Sequence, residues 1–127
     1  MTTPTDRKYT KEHEWLKVKG NTATIGITDH AQHALTDIVF VELPTVGKKA
    51  EAGKAFCVIE SVKSVSDVFS PVTGEVTEVN SDVESSPELI NQSPYENGWL
   101  AKLKVDKVDE DGLMTAEEYD RFVAESH

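Results

Sequence analysis

Cysteine is nearly absent from this chain. Cys57 is the only one among 127 residues, so the chain has no internal disulfide and no cysteine cluster to hold zinc or an iron–sulfur centre. It lies in the apolar run Phe56-Cys57-Val58-Ile59. There a thiol reads as a small buried hydrophobe, because activation needs an electropositive, partly exposed setting. Long hydrophobic runs are missing too, and nothing approaches the roughly 20 apolar residues of a membrane-spanning helix. Positive charge is scarce: 13 Lys+Arg stand against 23 Asp+Glu, a formal net charge of −10. Such a surface repels phosphate backbones and anionic lipid, which argues against nucleic acid and membrane partners. It suits proteins with basic docking faces. The segment Met1-Thr2-Thr3-Pro4-Thr5-Asp6 has neither a secretory hydrophobic core nor an Arg-rich amphipathic run. The expectation is a cytoplasmic protein, mitochondrial only if a transit peptide has been removed.

Catalytic signatures are equally scarce. No GxSxG element, P-loop, dinucleotide-binding glycine motif or HExxH occurs, and each of those chemistries needs its residues at fixed spacing. His30 and His33 lie at i,i+3 on a short helical pattern, with His13 far off in sequence. No further ligand motif completes a metal set, so they read as helix-surface or capping residues.

What is present is mostly short strands with turn punctuation. Trp15 to Lys19 precedes Gly20-Asn21, a hairpin signal, and Thr22 to Ile27 then turns Ala23, Ile25 and Ile27 inward. Ile38 to Leu43, Gly74 to Val79 and Trp99 to Val105 read as further strands, the last with Trp99, Ala101, Leu103 and Val105 on one face. Three helical pieces interrupt them. Asp29 with Gln32 reads as the capped start of a short helix through Leu35, and Ser86-Pro87 as N-cap and first residue of a turn. Thr115 with Glu118 is a capping box for a C-terminal helix whose Tyr119, Phe122 and Val123 share a face. Trp15, Phe40, Phe56 and Trp99 read as core. The length suits one domain over 1–127, with a core of about 13–105 and a helical extension of about 106–127. A faint internal echo links Ile25 to Asp29 with Val76 to Asp82, each a strand ending in a hydroxyl residue and Asp. It suits two pseudo-symmetric halves.

The most informative stretch is Glu60-Ser61-Val62-Lys63-Ser64. It follows Ala55 to Ile59, a continuous apolar run that reads as a strand buried on both faces, and precedes Val65 to Phe69, closed by Ser70-Pro71-Val72-Thr73-Gly74. Lys63 is thereby expected at the tip of a β-hairpin, open to a modifying enzyme.

With these motifs assembled, the sequence resembles the glycine cleavage system H-protein family. The resemblance is carried by Ala23-Thr24-Ile25-Gly26-Ile27-Thr28-Asp29-His30-Ala31-Gln32, by Val39 to Pro44 and by Glu60-Ser61-Val62-Lys63. Ser70-Pro71-Val72-Thr73-Gly74-Glu75-Val76 and Ser93-Pro94-Tyr95-Glu96-Asn97-Gly98-Trp99 add to it. Two departures stand out: Ser64-Val65 after the lysine, where small residues such as alanine or threonine are expected, and Thr36-Asp37 in place of a glycine before an acid.

The resemblance implies a mainly β barrel-sandwich hybrid of two antiparallel sheets, with short helices and a C-terminal helix. It implies a carrier, not an enzyme, with lipoate in amide linkage on Lys63. Such an arm reaches on the order of 10–15 Å from the backbone. A pyridoxal-phosphate glycine decarboxylase (the P protein) loads an aminomethyl group onto it. A tetrahydrofolate-dependent aminomethyltransferase (the T protein) unloads it, and a flavin (FAD) dihydrolipoyl dehydrogenase (the L protein) reoxidises the dithiol. Glu60, and Gly74 beyond the second strand, are implied in recognition by lipoylating enzymes. Glu14 and Asp67 are candidates to pair with the amine of the loaded arm; each competes with a reading as a solvated surface acid. A monomer is the default.

Other swinging-arm domains fit less well. Biotin domains flank their lysine with methionine, and lipoyl domains of 2-oxo-acid dehydrogenases place Asp before it, whereas Val62 and Ser64 flank Lys63 here. An H-like protein that relays lipoate to other enzymes, and an unmodified interaction module of the same fold, remain as alternatives.

Overall fold

The computed structural model describes residues 3–106, 108 and 112–125. Met1, Thr2 and parts of the expected 106–127 extension lie outside them. Two antiparallel sheets carry the fold, as expected. The larger contains β1 (Lys8–Tyr9), β2 (Glu14–Lys19), β3 (Thr22–Ile27), β5 (Lys49–Ala50), β8 (Gly74–Val79) and β9 (Ala101–Lys104), in the order β1-β2-β3-β9-β8-β5. The smaller orders β4 (Ile38–Glu42), β6 (Ala55–Ser61) and β7 (Val65–Phe69) as β4-β6-β7. One core packs on the larger sheet around Leu16, Ile25, Val76 and Leu103, and a second joins Ile27 to Val41, Ile59 and Val68 of the smaller sheet. These are inward positions of alternating strands, so the period of two decides who meets whom.

Helices close the ends of the sandwich. α1 (Asp29–Leu35) follows β3, α2 (Ser81–Ser85) and α3 (Glu88–Gln92) follow β8, and α4 (Ala116–Glu125) ends the described chain. The capping box of α4 forms as expected: Glu118 Oε1 accepts from Thr115 N at 2.9 Å, and Thr115 Oγ1 accepts from Glu118 N at 3.2 Å. Tyr119 then enters a third core with Tyr9, Trp15 and Tyr95, against which Phe122 and Val123 pack. Its hydroxyl lies 2.7 Å from Thr28 Oγ1 and 2.8 Å from His13 Nδ1, which ties α4 to the end of β3.

Several expectations are corrected. The cap of α1 is Thr28, whose Oγ1 accepts from Ala31 N, while Asp29 sits in the first turn and accepts from Gln32 Nε2 at 2.8 Å. The β6 strand alternates instead of being buried on both faces. Cys57, Ile59 and Ser61 turn inward, and Phe56, Val58 and Glu60 lie half-exposed. Trp99 precedes the last strand, and Leu100 and Ala101 are both buried, Leu100 N donating to Ile25 O. Trp15 is core, but Phe56 and Trp99 are only partly buried and Phe40 is 47% exposed. α2 follows its own cap, Asn80, and is too short for a helical period to be read. The faint echo now has a physical form: β3 and β8 each run into a capped helix, through Thr28 and Asn80.

The α1–β4 connection shows why glycine is expected at position 36. Thr36 adopts φ 64° and ψ −145°, a region that glycine enters freely and a β-branched residue does not. Asn91 holds it there, donating to the carbonyls of Thr36 (backbone, 2.8 Å) and Gln32 (side chain, 2.9 Å) and accepting from Ile38 N at 3.0 Å. Thr36→Gly is expected to stabilise the protein by about 1 kcal/mol, the relieved strain less the added chain entropy. Urea denaturation checks this, and an unchanged or lower midpoint counts against strain at this position.

Candidate functional site: the Lys63 hairpin and an adjoining groove

Residues 62–64 join β6 to β7, and Lys63 sits exposed at their centre. The tip is tied from within. Ser61 Oγ accepts from Lys63 N at 3.2 Å and Ser64 N at 3.0 Å, and donates to Ser64 O at 3.1 Å. Ser61 N donates to Ser64 O, and Val62 N donates to the Asp37 carbonyl of the strained connection. A short hydroxyl side chain bonding its own turn is a common way to fix a tight reversal. The backbone is therefore ordered while the lysine side chain projects into solvent. Ser61 was legible only as one of three serines around the lysine; its inward position follows from β6 alternation.

Glu60, opposite Phe40 on β4 and Val65 on β7, lies on the outer face of the sheet. Gly74 is not part of this tip. It opens β8 with its Cα close against the Lys104 carbonyl, where a Cβ would sit 2.5 Å from that oxygen, so packing alone requires glycine.

Beside the hairpin runs a groove of about 160 Å³. Its lining includes Ile27, Ile59 and Val68, Ala31, Ala34 and Leu35 of α1, and both Glu14 and Asp67. The fold thus brings together two acids 53 positions apart in sequence. Their settings differ. Asp67 is exposed and has no ion pair among the described residues. Glu14 is only 2% exposed, which removes the solvated-acid reading for it. Its Oε1 accepts from Thr10 Oγ1 at 2.8 Å and its Oε2 from Phe69 N at 3.0 Å. Burial outweighs those two donors and pushes its carboxyl up to about 7. The Phe69 bond also pins the end of β7 to β2.

His13 stands next to Glu14 in the lining, with φ 66° and its ring 4.6 Å from that of His30. Burial and the neighbouring His30 hold His13 below the usual imidazole range. Sequence distance concealed this pair. No group of three or more His, Cys, Asp or Glu among the described residues is arranged to hold a metal ion. Cys57 is buried, and its thiol is pushed up to about 12, so it is inert. No helix among the described residues is long and apolar enough to cross a membrane.

The groove can seat a slim apolar chain ending in a cation: most of its lining is apolar and two acids are among it. The raised Glu14 carboxyl makes stability pH-dependent in a defined direction. The folded state holds a proton that the unfolded chain releases near 4.5. The contribution of Glu14 to stability is therefore most favourable below about pH 4.5 and falls as pH rises to about 7, then levels. In Glu14→Gln this component is absent. The difference between the two proteins should change by up to roughly 3 kcal/mol across that window, read by urea denaturation at a series of pH values.

The profile of the family described as Glycine cleavage H-protein matches residues 7–126. Among curated relatives, the glycine cleavage system H protein of Herpetosiphon aurantiacus is 52% identical over 120 residues, covering 94% of this chain and 92% of its own. That of Rubrobacter xylanophilus is 53% identical over 122 residues, covering 96% and 95%. The crystal structure of a glycine cleavage system H protein from Mycobacterium marinum superposes with a TM-score of 0.89 at 39% identity, covering 95% of this chain and 98% of that one. With two antiparallel sheets, a C-terminal helix and near-complete coverage by these relatives, the chain belongs to the glycine cleavage H-protein family and has its barrel-sandwich fold.

Proposed function

We propose that this protein is the lipoyl-bearing carrier of a glycine cleavage system, operating in the cytoplasm, with Lys63 as the attachment point. The observation that carries the reading is the hairpin itself: a solvent-exposed lysine on a turn fixed by Ser61, beside a largely apolar groove lined also by two acids. The residues present suit lipoate. An amide on Lys63 Nζ removes one cation, and the hydrocarbon part of the group matches the lining of Ile27, Ile59 and Val68. From Lys63 to Asp67 is about 13 Å of extended chain, within the reach of such an arm.

When bound, lipoate supplies a dithiolane that accepts and releases the one-carbon cargo and two electrons. The chain's own residues orient and protect. Ser61 holds the turn from which the arm departs. Ala31, Ala34 and Leu35 of α1 give the groove an apolar wall. Glu14 and Asp67 line one groove, which supports their bonding a primary amine brought into it, and an arriving ammonium draws the Glu14 carboxyl into its ionised form. Glu60 is half-exposed on the outer face three residues before Lys63, which supports a part in recognition by a lipoylating enzyme. The partners in this reading are glycine decarboxylase, aminomethyltransferase and dihydrolipoyl dehydrogenase. The protein is a shared substrate of all three and catalyses no step itself.

Lipoylation with a lipoate–protein ligase, followed by intact mass and peptide mapping, tests the attachment. One lipoyl group on the Lys63 peptide, absent in Lys63→Arg, is the expected result. No modification under conditions that modify another lipoyl domain would favour an unmodified module. For the groove, the double variant Glu14→Ala and Asp67→Ala is expected to shorten the lifetime of the loaded carrier in buffer by about tenfold, equivalent to one charge-assisted hydrogen bond. An unchanged lifetime excludes the amine-pairing role.

A further inference from the structure

The outer face of the smaller sheet is more apolar than a water-facing sheet requires. Phe40 on β4 pairs with Glu60 on β6, which pairs with Val65 on β7, so these three form one outward row. Glu42, Val58 and Asp67 form the next. A β-bulge between Ile38 and Phe40 adds one residue to β4 and turns both Val39 and Phe40 toward solvent, 54% and 47% exposed. Val62 and Val65, which bracket the Lys63 turn, are 69% and 65% exposed. A solvated face would place polar residues at these points. Exposed apolar side chains gathered in one place mark an interaction surface. The acids among them, Glu42, Glu60 and Asp67, make no ion pair among the described residues.

We propose that this face is the docking surface for the enzyme that acylates Lys63, and that this enzyme offers an apolar recess for Phe40 ringed by Lys or Arg side chains. The inference rests on Lys63 being the lipoylated residue. Reach selects this occupant over the other partners. Unmodified Lys63 extends only about 6 Å from Cα to Nζ, so the active site that forms the amide must come into contact with the hairpin flanks. Enzymes visited by the completed arm meet its end on the order of 10–15 Å from the backbone and need not touch Val62, Val65 or Phe40. Charge points the same way: three acids with no ion pair among the described residues, on a chain of net charge −10, attract a cationic rim. In the reaction the neutral Lys63 Nζ attacks the carbonyl carbon of a lipoyl adenylate. The amide C–N bond forms, the bond from that carbon to the adenylate oxygen breaks, adenylate departs and the amine proton passes to solvent. No redox change occurs.

The test measures acylation of the apo protein by a lipoate–protein ligase with lipoate and ATP, as a function of apo-protein concentration. Phe40→Ser should raise KM at least about fivefold with kcat nearly unchanged, while Phe40→Leu restores most of the wild-type KM. Added salt should raise the wild-type KM, and less so that of Glu42→Gln with Glu60→Gln. Val46→Ser, at an exposed valine between β4 and β5, should leave both constants unaltered. In a Lys63→Arg background, surface plasmon resonance on immobilised ligase should show the same weakening for Phe40→Ser without any chemistry. If the wild type is acylated on Lys63 but Phe40→Ser matches it in both KM and binding, the docking surface is overturned and the carrier reading stands. Failure to acylate the wild type overturns both.

Discussion

The alternation of β6 between core and solvent is the constraint on which the rest of the site depends. Because side chains change face at every residue, Cys57, Ile59 and Ser61 are committed to the interior once any one of them is. Ser61 is then the last inward residue before the turn, and its hydroxyl has nowhere to find partners except the backbone of 63 and 64. A buried hydroxyl left unbonded costs on the order of 1–3 kcal/mol, so the turn closes around it. Lys63 is left pointing out by default. Glu60, one residue earlier, is on the opposite face and joins Phe40 and Val65.

The groove beside the hairpin depends on a second constraint, the burial of Glu14. A carboxylate taken out of water is costly unless it is paired or protonated. Thr10 and Phe69 donate to it but no cation among the described residues does, so burial raises its carboxyl to about 7. The protein tolerates this because the Phe69 bond secures the end of β7, one wall of the groove.

The C-terminal helix contributes at a distance. Tyr119 reaches Thr28, which caps α1, and His13, which adjoins Glu14. Through that one hydroxyl, α4 sets the position of the α1 wall and of His13 in the groove lining. Stacking of Tyr119 on Tyr9 at 4.9 Å between ring centroids holds α4 against β1. The helix therefore belongs to the machinery that shapes the groove, although none of its residues lines it.

Much was legible in the sequence, for reasons that are local. Alternation in Thr22 to Ile27, the Gly20-Asn21 turn and the Thr115–Glu118 capping box depend on residues within a few positions of one another. So does the placement of Lys63 on a turn, since two β patterns with turn residues between them leave few other solutions. Glu14 and Asp67 came only from the resemblance, because nothing within either segment marks it as part of a site. Tertiary structure decided their meeting, the burial that separates Glu14 from an ordinary surface acid, the His13–His30 contact and the outward turn of Phe40. A bulge of one residue reverses the face of everything beyond it, and burial depends on what packs from other strands. Local sequence thus determined which elements form and where the lysine stands; the packing of distant strands decided the chemistry of its surroundings.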